Sequence, residues 1–445
     1  MTARRRRDPQ SRGKILKGRK EEMKDRITLG IIGLGRRGHG MLKKCFAEMK
    51  DVEITWICDL VDTKVARSLK TLEEMGKPLP RATADYREML EDKDLDAVAV
   101  MTGWNSHIIC SLDSLRAGKY TAVEVGTAYD ISECYDLVAA SEASGAPLMM
   151  LENCCYGRRE MAALRMVKEG LFGEIVHCSG GYHHYLPAED LLHRNTEGHI
   201  DDHYRVTEYV YRNCEQYPTH EFGPISKILG INRGNRILTL SSFASKARGL
   251  ERYIAEKVPE DDYVYKHARI KQGDIVDTIL TCAGGETVRL TLDTTLPRPF
   301  YTRAFTVRGT KGMIEETSSK NAYIYFEGMP GNEVPNEKDL LEQYDHPLHA
   351  EYIKMTARGG HGGMDWLVCR AFVEAVKNGT DTPIDAYDTA AWMAIGPLSE
   401  ASIAQGGAPV AFPDFTRGKW FRREPAVRGK YCLDEIVDDP SVSII

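Results

Sequence analysis

Short apolar runs alternate with longer amphipathic stretches over the first third of the chain. The runs ITLGIIG at 27–33, VEITWICD at 52–59 and DAVAVMT at 96–102 have the continuous hydrophobicity of strands that are buried on both faces. Two further runs follow, YTAVEV at 120–125 and PLMMLEN ending at Asn153, and helix-compatible segments separate all five. Strand and helix alternating at this spacing predict a doubly wound parallel sheet over residues 27–152.

The pattern changes after residue 153. A helix-compatible segment, RREMAALRMVKEGLFG, precedes six runs with period-2 polarity and turn glycines: EIVHCSGGYHHY, NRILTLSSFAS, DIVDTILTCAG, ETVRLTLDTTL, RAFTVRGTKGMIEE and NAYIYFEG. Such alternation predicts a large, mostly antiparallel open sheet in an α+β domain over residues 153–445. A polar stretch near 330–350 is interpreted as a loop. Two C-terminal helices are expected in MDWLVCRAFVEAVKNGT and DAYDTAAWMAIGPLSEASIAQGG.

Composition changes this picture only at the N-terminus. The 445 residues are 42% hydrophobic and 28% charged, which is ordinary for a globular protein, and no apolar run approaches the length of a membrane span. Residues 1–26 carry eleven Lys or Arg against four Asp or Glu, while the whole chain has a net charge of −6. We expect a basic disordered tail, and an acidic body that does not bind nucleic acid. The tail contains no apolar segment of an export signal, and the eleven cysteines contain no C-x-x-C pair, so the expected location is cytoplasmic.

A glycine-rich motif follows the first predicted strand. Its residues, the first cofactor-binding candidates, are Gly33, Leu34, Gly35, Arg36, Arg37 and Gly38. In the G-x-G-x-x-G pattern, the first glycine permits a tight turn, the second lets the backbone approach a pyrophosphate, and the third allows close packing of helix on strand. Because a strand precedes the motif and a helix follows it, the sequence predicts a dinucleotide site of the Rossmann type.

An acidic residue indicates which dinucleotide binds. Asp59 ends the second predicted strand, 21 residues beyond Gly38, where a carboxylate accepts hydrogen bonds from a ribose diol and repels a 2′-phosphate. We therefore predict NAD rather than NADP as the cofactor, although Arg67 lies close to Asp59 in the sequence and leaves NADP as an alternative.

A dinucleotide domain followed by a sheet-rich domain resembles the Gfo/Idh/MocA oxidoreductases, over residues 27 to about 430. In the dehydrogenases of that group the fifth strand ends in Glu-Lys-Pro, and the lysine transfers the proton. The matching stretch here is Val123-Glu124-Val125-Gly126, which has no lysine. The resemblance adds Glu124 to the cofactor-binding candidates.

Four separated segments resemble glycoside hydrolase family 109. They are LENCCYGR at 151–158, GGYHH at 180–184, YPTH at 217–220 with the following Gly223-Pro224, and GHGGMD at 360–365. The resemblance implies a glycosidase that uses NAD as a recycled cofactor, with N-acetylgalactosaminides and related glycosides as small-molecule substrates. It implies oxidation of the sugar at C3, elimination of the C1 substituent, addition of water and re-reduction, in place of the usual pair of carboxylates.

The same resemblance supplies the candidate site residues. Tyr182 and His220 match the catalytic positions, and His220, which we expect in a loop, is the better candidate for proton transfer because histidine titrates near neutral pH. Tyr182 accepts a proton near neutral pH only if neighbours such as His184 and Arg205 lower its pKa. The expected substrate-binding residues are Glu152, His184, Arg205, Tyr217 and Tyr301.

Two alternative functions stay open on the sequence. A sugar or cyclitol dehydrogenase shares the fold and the cofactor, and an NAD-sensing protein without activity shares them too. A metal site at His199 and His203 is disfavoured because the surrounding segment is loop-like and has no H-E-x-x-H pattern, so no metal is predicted. The exposed face of the second sheet leaves room for a homo-oligomer.

Overall fold

The computed structural model describes residues 24–192, 204–331, 334–354, 360–425 and 429–437. The predicted basic tail therefore falls outside the described residues, apart from 24–26. Lys24 is already fixed to the body, because its backbone N–H donates to the Lys377 carbonyl over 3.0 Å.

The first sheet is fully parallel and has six strands in the order β3-β2-β1-β4-β5-β6. Its strands are β1 Ile27–Ile32, β2 Val52–Cys58, β3 Arg81–Thr83, β4 Ala97–Val100, β5 Tyr120–Val123 and β6 Leu148–Met150. The connecting helices are α1 Arg36–Lys44, α2 Asp62–Glu74, α3 Tyr86–Leu90, α4 Trp104–Arg116 and α5 Ile131–Ser144. The doubly wound sheet expected from the sequence is confirmed, and only its short edge strand β3, of three residues, carried too little hydrophobic signal to be predicted.

The second sheet has eight strands in the order β13-β12-β11-β7-β10-β9-β8-β14. They are β7 Ile175–His183, β8 Ile237–Ala244, β9 Ile275–Cys282, β10 Thr287–Asp293, β11 Thr306–Gly309, β12 Gly312–Ser318, β13 Asn321–Phe326 and β14 Val410–Ala411. Only the β7–β10 pair is parallel among these described strands, so the mostly antiparallel sheet is also confirmed. Phe243 and Ile279 are exposed on one face of it, beside Asp277 and Ser241 of the neighbouring strands.

The helices around the second sheet are more numerous than the sequence predicts. They are α6 Arg158–Lys168, α7 Tyr204–Tyr211, α8 Thr219–Ile228, α9 Gly249–Lys257, α10 Tyr263–Lys266, α11 Glu337–Tyr344, α12 Pro347–Lys354, α13 Met364–Asn378, α14 Ala386–Met393 and α15 Ile395–Ala404. The loop expected near 330–350 is wrong, because α11 and α12 occupy most of it. Their apolar residues are few, but Leu341 and Leu348 are buried, and α11 packs on α6 and β13. Tertiary burial therefore outweighs a polar composition.

The C-terminal segment forms three helices instead of the two expected. The chain breaks at Ala394 between α14 and α15, and Pro397 lies in the first turn of α15, where a missing N–H costs no helical hydrogen bond. Helix α13 contacts β1 and helix α14 contacts β6 and α5, so both cover the first sheet, while α15 packs on β8 of the second. The chain thus returns to the first sheet after building the second.

The turn Asn153–Tyr156, which follows the carboxyl end of β6, contacts α8 and α13, and α8 contacts β7. The carboxyl edge of the first sheet therefore meets the second domain there. Ligands bind at this edge of an open α/β sheet, so the fold directs attention there. None of the helices in the described ranges is long and apolar enough to cross a membrane.

Candidate active site

The glycine-rich turn has the backbone geometry that a dinucleotide requires. Gly33 has a φ of +94°, and a Cβ there would lie 2.7 Å from the Met101 carbonyl carbon. A Cβ at Gly38 would lie 2.0 Å from the Gly33 oxygen, so helix and strand pack closely only with glycine at that position. A Cβ at Gly35 would meet no atom within 4 Å, which leaves the N-terminus of α1 open to a phosphate. These residues fit a pyrophosphate.

Asp59 lies directly beside this turn. Its Oδ2 accepts the Leu34 N–H over 2.7 Å and its Oδ1 accepts the Val61 N–H over 3.0 Å. Each carboxylate oxygen keeps acceptor capacity for a ribose hydroxyl. Arg67, the residue that left NADP open, donates instead to the Leu34 carbonyl over 2.6 Å. The acceptor oxygens of Asp59 beside the turn therefore fit the ribose diol of NAD.

The two arginines of the motif hold the surrounding protein. Arg37 donates from Nε to Glu124 over 2.8 Å and makes a bidentate pair with Asp365 at 2.9 Å for each bond. Burial opposes the charge, but the pairing with Arg37 and His361 keeps the pKa of Asp365 well below its usual range. Arg36 forms an ion pair with Asp190, which also contacts Arg205. Arg37 thus fixes the turn to Asp365 at the N-terminus of α13 and to Glu124 after β5.

Glu152 and His220 form a buried pair at the end of β6. Both Glu152 oxygens lie close to the His220 Nδ1, at 2.8 and 3.0 Å, and Oε1 also accepts the Cys154 N–H over 2.9 Å. Although burial opposes ionisation, the histidine and these hydrogen bonds lower the pKa of Glu152. The carboxylate is 0% exposed and the His220 side chain is 15% exposed. An ionised acceptor at Nδ1 places the ring proton there and leaves Nε2 with a lone pair.

The sequence predicts His220 in a loop, but His220 lies in helix α8. Pro224 lies inside this helix and lacks the N–H that would bond to the carbonyl four residues earlier, which is why the segment resembles a loop in sequence. Phe222, Gly223 and Ile225 are buried on either side of it, and this burial stabilises the helix. A helical position holds the imidazole more rigidly than a loop does.

Aromatic rings surround the imidazole. Tyr182 stacks on Tyr217 with 4.3 Å between ring centroids, and both rings meet His220, at 5.7 and 4.8 Å. Tyr301 lies 6.0 Å from Tyr182 and 5.2 Å from His184, again between centroids. The structure thus brings these five predicted site residues together in one cluster at the end of β7.

Arg205 closes the cluster on the cofactor side. Its guanidinium lies 4.6 Å from the Tyr217 ring centroid and 5.4 Å from that of Trp104, which begins α4. Trp104 was not singled out in the sequence, although its place just after β4 is where α/β sheets contact ligands. The tryptophan and arginine link the dinucleotide edge to the aromatic cluster.

The Tyr182 hydroxyl is not prepared to act as a base. It lies 3.3 Å from the His184 Nδ1, and Arg205 favours its ionised form. Burial is nevertheless the larger effect and raises the pKa of Tyr182, contrary to the lowering that a proton acceptor requires. Tyr182 therefore stays a neutral phenol, whose O–H is able to donate a hydrogen bond.

Three residues near Glu152 were not predicted from the sequence. Arg303 donates from Nη1 to the Cys154 Sγ over 3.0 Å and pairs with Glu160 through Nη2. Cys154 is 1% exposed, and burial raises the pKa of its thiol. Among the described residues, Glu152, Cys154 and His220 are the one group with three potential metal ligands, while His199 and His203 lie outside the described residues.

Comparisons with known proteins show the family of the chain. Residues 156–422 match the profile of "Glycosyl hydrolase 109, C-terminal domain", and residues 27–152 match that of "Oxidoreductase family, NAD-binding Rossmann fold". A glycosyl hydrolase family 109 protein of Stenotrophomonas maltophilia is 39% identical over 427 residues, covering 91% of this chain and 93% of its own. An alpha-N-acetylgalactosaminidase of Tannerella forsythia is 38% identical over 419 residues, covering 90% and 88%.

Solved structures share the fold at low identity. An NAD-binding oxidoreductase from Klebsiella pneumoniae is similar with a TM-score of 0.65 and 16% identity, over 87% of this chain and 100% of that one. A levoglucosan dehydrogenase in complex with NADH and levoglucosan is similar with a TM-score of 0.64 and 17% identity, over the same shares. With the relatives and the two profiles, these observations show that the chain belongs to glycosyl hydrolase family 109 and is a glycoside hydrolase with NAD as its cofactor.

Proposed function

We propose that this chain hydrolyses N-acetylhexosaminides, with α-N-acetylgalactosaminides as the first substrates to test, and that Tyr182 and His220 are its catalytic residues. The relative from Tannerella forsythia that is named for that activity supports the substrate class. The observation that carries the catalytic assignment is the Glu152–His220 pair, 2.8 Å apart, at the edge where the dinucleotide turn and the aromatic cluster meet.

The reaction needs a hydride acceptor at the sugar. NAD, when bound, supplies the acceptor for the hydride at C3 and returns the hydride at the end of the cycle. A sugar that is a ketone at C3 has an acidic proton at C2, and removal of this proton expels the substituent at C1. The chain must therefore supply a group that accepts the proton of the C3 hydroxyl and then the C2 proton, a group that protonates the oxygen leaving C1, and a group that steadies the sugar oxygens.

His220 is assigned the proton transfer. Its Nδ1 is held by an ionised carboxylate, so Nε2 carries the lone pair and accepts a proton from the sugar. Glu152 is a positioning residue, since it is fully buried and acts through the imidazole. The carboxylate also stabilises the imidazolium that forms after the proton has moved.

Tyr182 and Arg205 are assigned to the sugar oxygens. The phenol is neutral, so it donates a hydrogen bond to a hydroxyl or carbonyl oxygen of the sugar, and Arg205 adds positive charge nearby. Tyr217, Tyr301 and His184 present ring faces and edges that pack against a sugar ring. In this assignment His220 accepts protons and Tyr182 donates a hydrogen bond.

One assay separates the proposal from its alternatives. Purified protein with bound NAD is incubated with aryl glycosides of N-acetylgalactosamine, in both anomers, while aglycone and NADH are followed together. Release of aglycone without net NADH supports the proposal. Accumulation of NADH without aglycone would instead support a sugar or cyclitol dehydrogenase, and neither signal would support a protein that only senses its ligand.

We also propose an oligomeric state, from an exposed apolar surface, and a cellular location, from the state of the cysteines. The exposed Phe243 and Ile279 on the second sheet support a homo-oligomer that covers this face, which a mass measurement in solution tests. All eleven cysteines are free and buried, which supports a cytoplasmic location, since oxidising compartments favour disulfides.

A further inference from the structure

Three different donor atoms converge beside the proposed base. Glu152 follows β6, Cys154 lies in the helical turn Asn153–Tyr156, and His220 is on α8. A carboxylate oxygen, the thiol sulfur and an imidazole nitrogen from these residues all lie within 4.8 Å of one another. Side chains from separate elements thus point at one small volume.

The donor set selects the class of metal. Thiolate and imidazole are ligands for zinc, whereas magnesium and calcium take oxygen ligands. Three protein ligands leave the fourth position of a tetrahedron for water, as in zinc sites that are open to the solvent. The partly exposed His220 side chain gives an ion access from solvent, although Glu152 and Cys154 are buried.

The charges around the site balance when zinc is present. A zinc ion is neutralised by the Glu152 carboxylate and a Cys154 thiolate, while the imidazole is neutral. Arg303 donates to the sulfur over 3.0 Å and its own charge is balanced by Glu160. The thiol proton leaves to solvent when the metal binds, and no group is oxidised or reduced. No unpaired charge is then buried, which is the main cost of placing an ion there.

The imidazole and carboxylate ligands need only a small adjustment, while the sulfur lies within 4.8 Å of both. Tetrahedral ligands at zinc distances of roughly 2.0–2.1 Å are separated from one another by roughly 3.3 Å. The His220 Nδ1 lies 2.8 Å from the Glu152 Oε1, so these two atoms would move apart by a few tenths of an ångström.

We propose that this cluster is an inhibitory zinc site, in which Glu152, Cys154 and His220 bind Zn²⁺ and the metal blocks catalysis. Zinc on the Nε2 of His220 takes the lone pair directly. Zinc on Nδ1 displaces the ring proton to Nε2, which removes the lone pair as well. The inhibition rests on the proposed function, while the binding of the metal does not.

The first test measures binding alone. The NAD-loaded protein competes with a chromophoric chelator for Zn²⁺, and a parallel sample with Co²⁺ is scanned for the charge-transfer band of a cobalt–thiolate bond. One tightly bound equivalent and a thiolate band are expected. Cys154→Ser should lose the band and weaken the zinc affinity by about tenfold or more. Cys155→Ser is the matched control, because this neighbouring thiol is also buried but packs against Gly223, outside the donor cluster, and should leave both readings unchanged.

The second test measures inhibition of aryl glycoside hydrolysis at buffered concentrations of free Zn²⁺. Inhibition that is reversed by a chelator, and that is about tenfold weaker in Cys154→Ser than in Cys155→Ser, supports the site. Equal zinc affinities of Cys154→Ser and the wild-type protein, together with the absence of a cobalt–thiolate band in the wild-type protein, would overturn the proposed site. If the wild-type protein binds zinc as expected but cleaves no glycoside, the proposed function fails and the zinc site stands. If Cys154→Ser does not fold, the cobalt spectrum of the wild-type protein still decides whether the thiolate is a ligand.

Discussion

At the scale of single residues, the chemistry depends on which nitrogen of His220 carries the proton. Glu152 is buried, ionised and 2.8 Å from Nδ1, so the nitrogen that accepts a proton is Nε2. The sequence could supply His220 and Glu152 as candidates through the family resemblance. It could not supply their direct contact, because the two residues are 68 positions apart and come from different elements.

The pair yields a test of this assignment. His220→Ala should lower kcat by about 10²-fold or more, the usual scale for losing a positioned base. Glu152→Gln should lower kcat with little change in KM, because the glutamine no longer stabilises an imidazolium. The double variant should be no slower than His220→Ala alone, since Glu152 acts only through the imidazole. Steady-state kinetics on an aryl glycoside measure all three, and multiplied losses in the double variant would show that Glu152 has a separate role.

Tyr182 gives a second prediction at this scale. Tyr182→Phe keeps the ring and its stacking on Tyr217 but removes the hydroxyl, so kcat should fall by about 10²-fold while the melting temperature and the affinity for NAD stay unchanged. Kinetics, thermal unfolding and calorimetric titration of NAD check these points. Near-wild-type turnover would mean that the tyrosine only packs, and would leave His220 as the one catalytic residue of the pair.

Asp59 gives a third prediction at the scale of single residues. Asp59→Asn keeps an acceptor for the Leu34 N–H but removes the charge that repels a 2′-phosphate, so the preference for NAD over NADP should narrow by about tenfold. Calorimetric titration with both dinucleotides measures the ratio. An unchanged ratio would assign the selectivity to another group beside the turn.

At the scale of elements, the structure shows where sequence patterns fail. Buried parallel strands are recognised in the sequence as continuous apolar runs because both of their faces are buried. The ends of β1, β2 and β4 lie within one or two residues of the predicted ends. Helix α8 was missed because Pro224 signals a break, and α11 because its apolar residues are few. In both helices the stabilising contacts come from distant segments, which no local pattern records.

The segment that leads into α8 contains a carboxyl group with an unusual pKa. Glu215 is 1% exposed, and burial raises its pKa to about 8, with Asp277 acting in the same direction. Between the ordinary glutamate pKa of about 4.3 and this higher value, the folded protein binds more protons than the unfolded chain. The free energy of unfolding should therefore fall as the pH rises through this window.

Glu215→Gln tests this account. Glutamine cannot ionise and keeps an acceptor for the Tyr217 N–H, so the loss of stability between about pH 5 and pH 8 should be smaller than in the wild-type protein. Melting temperatures at several pH values measure the difference, and Glu73→Gln, which removes an exposed carboxyl group of α2, serves as the matched control for the loss of one glutamate. Parallel curves for Glu215→Gln and the wild-type protein would show that this carboxyl group does not titrate in the window.

At the scale of the whole molecule, the candidate site lies where the carboxyl edge of the first sheet meets α8 and the aromatic cluster. Arg37 of the glycine-rich turn reaches Asp365 at the start of α13, and Arg36 reaches Asp190, so contacts across the cleft hold the dinucleotide turn near the aromatic cluster. The sequence predicted both sheets, and the domain boundary at 152/153 stays a prediction. It did not predict that α13 and α14 return to the first sheet, because this return depends on packing between segments more than 200 residues apart.

The central claim is that the sugar loses its C2 proton during turnover, and the solvent isotope in the product tests this most directly. The NAD-loaded protein should hydrolyse an N-acetylgalactosaminide in deuterium oxide with no net NADH. The released sugar, analysed by mass spectrometry and NMR, should carry one deuterium at C2, because His220 exchanges the proton that it accepts with solvent. Hydrolysis that leaves C2 free of deuterium would contradict the account and would indicate direct displacement at C1.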